Sequence, residues 1–484
     1  MTGKKPLKKP FEGIYAESGR SLLVASAVRV AIIGGGYSGT MLAVALQKTL
    51  PKTAQIIVFG RDPAFARGVA YAQADVPYLL NVRARNMSAF ADDPEHFYRW
   101  LDTNTEGNES EIKVTAAGVF VSRRFYGRYL QEIVREAQGL PDKARLELYA
   151  GDVVRLERLA TGWLLHGPQG ERLEAQNVVL ACGNLPDMSG PKGAVYTNPW
   201  APEVLTGLTS DKPVLIVGTG LTMVDLVLGL DQAGFAGQIV ALSRRGLLPQ
   251  AHKKVETLWP TPTFSDVQRG SILRLFQEVR AQVKLARRQD VDWRAVIDSL
   301  RPITAALWRE LPLLEQKRFL RHVRPYWDVH RHRMAPVIAE MLAQKQAAQQ
   351  LRVVRGRVLG RKHNKPSGVV VEIANHSAGV KESLSVQRAV YATGIGAALG
   401  REVLLRALLA DGLARPDALG MALDVTDSLA VRGRDGGSVP GLWALGSLVR
   451  GVFWESVAVP DIRAQIQRLS VEIAKIGADA VGEG

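Results

Sequence analysis

A chain of 484 residues is too long for one ordinary hydrophobic core, so two or three domains are expected. Its 62 Lys and Arg against 47 Asp and Glu give a formal charge of +15, while 46% hydrophobic residues is an ordinary globular proportion. The one cysteine, Cys182, excludes an internal disulfide and the paired-thiol chemistry of C-x-x-C reductases. No apolar run reaches the roughly 20 residues that span a bilayer, and no H-E-x-x-H or C-x-x-C ligand set points to a metal. The basic residues are spread along expected helices without an RNA- or DNA-binding motif, so no nucleic-acid partner is expected. The opening MTGKKPLKKPFEG lacks the apolar segment and cleavage site of a signal peptide. Residues 1–27 therefore read as a flexible basic leader, and the protein as cytoplasmic.

The first ordered stretch is VRVAIIGGGYSG, Val28–Gly39. Its apolar run reads as a buried parallel strand. Gly34, Gly36 and Gly39 supply G-x-G-x-x-G, and Thr40–Thr49 continues as a helix. The first glycine makes the strand-to-helix turn, the second admits a pyrophosphate, and the third lets helix and strand pack closely. The free N–H groups of the helix then face the phosphates. Gln55–Phe59 is the second strand; Gly60 stands where a ribose-binding acid is usual, leaving Asp62 to reach round. Further on, Phe97, Trp100 and Leu101 share a helical face that reads as core, and FYGRYL (Phe125–Leu130) opens a helix running to about Ala137. Arg145–Tyr149, Val153–Leu159, Gly162–His166 and Arg172–Ala175 read as strands, followed by Asn177–Gly183, a buried strand ending in A-C-G. Cys182 reads there as a small buried hydrophobe. Leu185–Trp200 is a Pro- and Gly-containing linker.

The pattern then repeats. KPVLIVGTG, Lys212–Gly220, is a strand entering a second glycine turn at Gly218 and Gly220, with Met223 in the third position. Thr222–Asp231 is the helix and Gln238–Leu242 the next strand, which ends in Ser243, Arg244 and Arg245. An arginine at that corner suits the 2′-phosphate of NADP. Strands at Leu351–Val354, Val369–Ile373 and Ala389–Gly394 complete the second unit, and residues 265–350 interrupt it as a helical insertion. Pro440–Gly446 is a last strand, followed by RGVFWESVAVPDIRAQ and a helix to about Ile476. The expected segments are a leader (1–27), a first dinucleotide domain (28–200 and 399–484), a second (201–264 and 351–398), and the insertion (265–350).

The stretches GGGYSG, RGVAY, LLNV, MSAFADDP, FYGRYL, VVLACGNLP, VLIVGTGLTMVD, WDVHRHR and RGVFWESVAVPDIRAQ resemble the bacterial NAD(P)/FAD-binding oxidoreductases. More distantly, the order of domains resembles single-component flavoprotein monooxygenases that N-hydroxylate amines and amino acids. The linker fingerprint F-x-G-x-x-x-H-x-x-x-W of those enzymes is absent; YTNPW, Tyr196–Trp200, stands in a comparable place without the histidine. The resemblance implies an α/β fold of two Rossmann-like domains, one for FAD and one for NADPH, with the helical insertion between. It assigns Gly34, Gly36, Tyr37, Ser38, Gly39, Asp62, Arg67, Gly68, Asn81, Gly446, Trp454 and Glu455 to FAD. Gly218, Gly220, Thr222, Arg244, Arg245 and Gly394 are assigned to the second dinucleotide site.

The activity implied is hydroxylation of a small nucleophilic substrate, an amine, amino acid or heteroaromatic, with molecular oxygen activated on the flavin. The alternatives are an NAD(P)H-dependent flavin reductase or electron-transfer flavoprotein, and a non-enzymic redox sensor. No catalytic side chain is assigned. His330, Arg331 and Arg333 are candidates for an anionic substrate group, with a solvated or packed helix face as the alternative. A homo-oligomer stays open.

Overall fold

The structure is a computed structural model that describes residues 28–72, 78–183, 191–394 and 399–482. The leader, residues 185–190 of the expected linker, and residues 73–77, 184, 395–398 and 483–484 lie outside the described residues.

Two sheets organise the chain. In the first, the apolar strand Arg29–Ile33 lies between Gln55–Gly60 and Asn177–Leu180, all parallel; Arg145–Ala150 extends one side and Ser438–Ala444 the other, with Ala430–Arg432 as an antiparallel edge. Val30, Ala31 and Ile32 are wholly buried, as a strand covered on both faces requires. The helix Tyr37–Thr49 covers one face and packs along the final helix, Val459–Gly482. The C-terminal segment thus returns to the first sheet after the second has been completed.

In the second sheet, Val214–Val217 lies between Arg388–Tyr391 and Ile239–Ser243, and all three are parallel. Leu351–Lys365 follows, parallel to Ile239–Ser243, and then turns into the antiparallel strands Gly368–Asn375 and Val380–Val386. The third of these was not anticipated, because KESLS within it is polar and lies largely at the surface. The strand Val195–Tyr196 pairs with Arg388–Tyr391, so the second sheet begins ahead of the boundary expected at residue 200. Each unit carries a three-stranded antiparallel excursion. In the first it forms a separate sheet (Arg155–Leu159, Gly162–His166, Arg172–Ala175); in the second it is continuous with the main sheet.

The segment between the two halves of the second unit is helical from Asp266 to Ala347. It has its own small core of Leu275, Leu300, Trp308, Leu311 and Phe319, into which Trp454 of the C-terminal segment inserts. Among the described residues no helix is long and apolar enough to cross a membrane.

One feature occurs in both units. Gly34 has φ +134° and Gly218 φ +121°, and a Cβ on either would lie 2.1 or 2.2 Å from a backbone carbonyl, of Ala181 or Ala392 respectively. Both carbonyls belong to the strand end one position before the terminal residue pair of A-x-G. Only glycine tolerates such a φ and such an approach. Gly34→Ala or Gly218→Ala is therefore expected to cost about 3 kcal/mol or more, measured by urea unfolding of the purified variants against the parent; a loss within experimental error would refute this packing.

Candidate dinucleotide sites and the helix between them

In the first loop, Gly34 N–H donates to the Phe59 carbonyl at 2.8 Å and fixes the turn. Gly36 caps the helix Tyr37–Thr49 without any side-chain cap, so the helix N–H groups are left for another acceptor. A Cβ on Gly39 would meet the Gly34 carbonyl oxygen at 2.0 Å, which is the close helix–strand contact expected of a third glycine. A Cβ on Gly36 would stand 3.4 Å from Gly68 Cα, an ordinary contact, so Gly36 is not required by packing. Gly68 (φ +55°) and Arg67 close over it from the short helix Gly68–Tyr71. Arg67 Nε, Tyr37 Oη and Ser447 Oγ are buried without a hydrogen-bond partner among the described residues. Burial pushes the Tyr37 hydroxyl well above its ordinary pKa, so it remains a donor. Ser38 Oγ lies beside Gly446, whose N–H donates to Gln465 at 2.9 Å. An uncapped helix, a glycine with free space and these buried polar atoms fit a dinucleotide pyrophosphate and its polyol chain.

The ribose corner differs from the expectation. The Phe65 ring lies 2.9 Å from where a Cβ on Gly60 would be, so it fills the direction in which a ribose-binding acid would project. Asp62 is exposed and its Oδ1 accepts from Ala64 N–H at 2.8 Å, a local turn bond that does not bring it to that corner. Arg61 is engaged by Asp152 and Glu402. The Asn81 carbonyl accepts from His252 Nε2 at 2.9 Å, so this stretch faces the second unit.

The second loop copies the first. Gly220 caps the helix Leu221–Gln232 with φ −82° and ψ −169°, against −84° and −168° at Gly36. Among the described residues a Cβ on Gly220 meets nothing within 4 Å, so they leave this cradle open. Met223 is wholly buried in the helix–sheet core, and Thr222 is half-buried at the helix start. Thr219, not anticipated, ties the loop down through its hydroxyl, 2.8 Å from Ser243 Oγ and 2.6 Å from the Leu247 carbonyl. Arg244 and Arg245 are exposed at the end of Ile239–Ser243. Arg355 joins them: it pairs with Ser243 in register, and its Cβ lies 3.2 Å from where a Cβ on Gly246 would be. A strand neighbour more than a hundred residues away leaves no local signal. Gly394 (φ +87°) is exposed beyond the strand end, with nothing within 4 Å of its Cβ position.

The helix Arg324–Arg331 lies between the two sites. Tyr326 carries the Arg245 guanidinium 5.3 Å from its ring centroid. On another face, Trp327 Nε1 donates to Glu455 Oε1 at 2.6 Å and Arg331 Nε to Glu455 Oε2 at 3.1 Å. Glu455 is buried with φ +68°, a conformation uncommon for a residue with a side chain. Its carboxylate is thus committed to the insertion. Its neighbour Trp454 is packed against Trp308 and Phe319 at centroid distances of 4.8 and 5.2 Å. Burial pushes His332 down to about 4 and raises Asp328 and Asp461 above the usual carboxylate range.

The three substrate candidates separate. Arg331 is held by Glu455. His330 bonds the Tyr326 carbonyl through Nδ1 at 2.8 Å and stands edge-on to Trp293. The helix ends at Arg331, so Arg333 lies beyond it, buried, with Nη2 on Asp298. Cys182 Sγ donates to the Ile33 carbonyl at 3.5 Å, and burial pushes its thiol up to about 12. Among the described residues no cluster of three His, Cys, Asp or Glu is arranged to hold a metal.

Two sheets with parallel centres, each with a glycine-led helix at the end of a central strand, give the chain two α/β units of like design. Residues 31–185 match the model of a FAD-NAD(P)-binding family, the family that the motifs resemble, and this stretch is a FAD-NAD(P)-binding domain. Among solved structures, reduced ornithine hydroxylase from Pseudomonas aeruginosa is 13% identical with a TM-score of 0.62, covering 93% of this chain and 99% of that one. L-lysine 6-monooxygenase from Pseudomonas syringae is 16% identical with a TM-score of 0.62, covering 92% and 99%. Bacillithiol disulfide reductase from Staphylococcus aureus is 10% identical with a TM-score of 0.53, covering 93% and 99%. At these identities the likeness is one of fold. No curated protein sequence matches the chain.

Gly36→Ala should keep the fold and lose bound FAD, since its new methyl has packing room but fills the cradle. The check is flavin absorbance per protein alongside circular dichroism; full flavin content would reassign the loop. Glu455→Ala leaves Arg331 buried without its partner and should cost about 3–5 kcal/mol, with earlier proteolytic cleavage in residues 265–350; an unchanged unfolding midpoint would contradict the role given to this contact.

Proposed function

We propose that the protein is an FAD-dependent, NADPH-consuming oxidoreductase that hydroxylates a small nucleophilic substrate. The observation that supports this best is the pair of matching glycine loops bridged by one helix, which touches the basic corner of the second unit and the C-terminal segment of the first. The balanced reaction consumes substrate, molecular oxygen, NADPH and a proton, and yields hydroxylated product, water and NADP+. Bound FAD would supply the hydride acceptance and the oxygen activation.

The chain's own residues do the rest. Gly34, Gly36 and Gly39 would seat the flavin nucleotide on the helix Tyr37–Thr49, with Tyr37, Arg67 and Ser447 meeting its polar groups. Gly218 and Gly220 would seat NADPH, with Arg244, Arg245 and Arg355 around the 2′-phosphate. The insertion would shield the reacting region from water through Trp308, Trp327 and Trp454. A dithiol route has no support here: the only cysteine is half-buried, with its thiol pushed up to about 12.

The distinguishing measurement is product formed per NADPH oxidised across amines, amino acids and small heteroaromatics. Stoichiometric product supports hydroxylation. Complete recovery of the electrons in an added acceptor protein or in free flavin, with no product, would replace it by electron transfer. Flavin that NAD(P)H never reduces would leave only a sensor.

For coenzyme choice, Arg244→Ala should cut the NADPH-to-NADH ratio of anaerobic flavin-reduction efficiency by about tenfold or more, the loss of one charge-assisted contact. Equal efficiencies with the two coenzymes, unchanged by the substitution, would remove the 2′-phosphate reading.

A further inference from the structure

Arg333 and His252 are brought together by a short backbone pairing. His252 N–H donates to the Met334 carbonyl at 2.9 Å, and Met334 N–H to the Gln250 carbonyl at 3.0 Å. The two side chains therefore enter one junction, where residues 79–83 of the first unit meet residues 250–253 and the insertion. His252 Nε2 donates to the Asn81 carbonyl, which fixes the tautomer and leaves Nδ1 as an acceptor. Nδ1 is buried and has no partner among the described residues. Arg333 is 2% exposed; Asp298 takes Nη2, while Nε and Nη1 are buried without partners.

The surroundings are cationic and aromatic. Arg83 is anchored by the Ala117 and Lys253 carbonyls, and Arg294 by Asp292 and the Ala251 carbonyl. The Trp293 ring centroid is 6.0 Å from the Arg333 guanidinium, and the Phe120 ring 5.4 Å from that of His252. Unmet donors on a buried guanidinium are costly, and so is an unmet acceptor on a buried imidazole. One ligand could satisfy both.

We propose that this junction binds a small carboxylate that carries a neutral N–H or O–H donor next to the carboxyl-bearing carbon: Arg333 donates to the carboxylate and His252 Nδ1 accepts from the neighbouring donor. The donor is neutral because Arg333, Arg83 and Arg294 all bear on the position. Burial and these same three groups push His252 down to about 3, and their field opposes an ammonium as it opposes an imidazolium. The flanking rings favour a flat ligand. As the substrate-anchoring site, the proposal rests on the hydroxylase reading; as a binding site, it stands without it.

The test is calorimetric titration of the flavin-loaded full chain at fixed ionic strength with pyrrole-2-carboxylate, furan-2-carboxylate, pyrrole, glycine and inorganic phosphate. Pyrrole-2-carboxylate should bind at least about tenfold tighter than furan-2-carboxylate, which lacks only the N–H, and pyrrole and glycine should bind more weakly still. His252→Phe should erase the difference between the two carboxylates, and Arg333→Gln should abolish both. Should Arg333→Gln fail to fold, Arg333→Lys keeps the charge, displaces the donors, and should weaken both carboxylates alike. No saturable binding of pyrrole-2-carboxylate, equal binding of the two carboxylates by the parent, or tighter binding of glycine or phosphate would overturn the proposal. Titration needs neither NADPH nor oxygen. Binding without hydroxylation would therefore sink the reaction while sparing the site, and hydroxylation without binding would do the reverse.

Discussion

One close backbone approach, made once in each unit, governs both halves of the molecule. Gly34 and Gly218 each pass beneath the carbonyl of an alanine, Ala181 or Ala392, at the end of the adjoining parallel strand. That approach allows the chain to leave one strand, turn sharply and start a helix whose first N–H groups open over the strand ends. Without it, neither helix could begin at the point where its unpaired donors face a ligand. The rest of each unit supports this corner: strand pairing on both sides holds the two backbones in register, and the core beneath keeps the helix on the sheet.

The insertion turns two separate corners into one region. A buried carboxylate loses its hydration and needs good donors in return. Glu455 finds them in Trp327 and Arg331, one helical turn apart and on one face of the same helix. Trp454, its neighbour, is held in the aromatic core of the insertion, so the left-handed turn at Glu455 is locked from two sides. A neighbouring face of the helix presents Tyr326 to Arg245. Movement of this helix would therefore be felt at both dinucleotide corners.

Local periodicity made the two strand–glycine–helix corners readable, because each is determined by a dozen consecutive residues. The same is true of the core face of Phe97 and Leu101, which are buried. What was hidden depends on contacts between distant segments. Glu455 sits in a stretch that the resemblance assigns to the flavin, yet its partners lie over a hundred residues earlier. Arg355 reaches the arginine corner only through strand register. The helix bearing Trp327 ends at Arg331, and the residues that follow it pair with Gln250–His252. Helix periodicity cannot report such an override, since the competing hydrogen bonds come from another part of the chain.

The two loops, alike in backbone, differ in what stands over them, and this difference bears on how a two-cofactor protein works. Gly36 is faced by Gly68 at van der Waals distance, and the Arg67–Tyr71 segment closes that side. Among the described residues Gly220 faces open space, and its arginine corner is exposed. A dinucleotide enclosed by chain dissociates slowly, because release requires the covering segment to open; one bound at an open cradle can exchange in every cycle. A resident flavin and an exchangeable nicotinamide coenzyme require that asymmetry. Met223 is consistent with it: the third glycine that draws helix and strand together at Gly39 is missing from the second loop, where a wholly buried methionine fills the space. The proposed seating of FAD on the enclosed loop and of NADPH on the open one accords with these different surroundings.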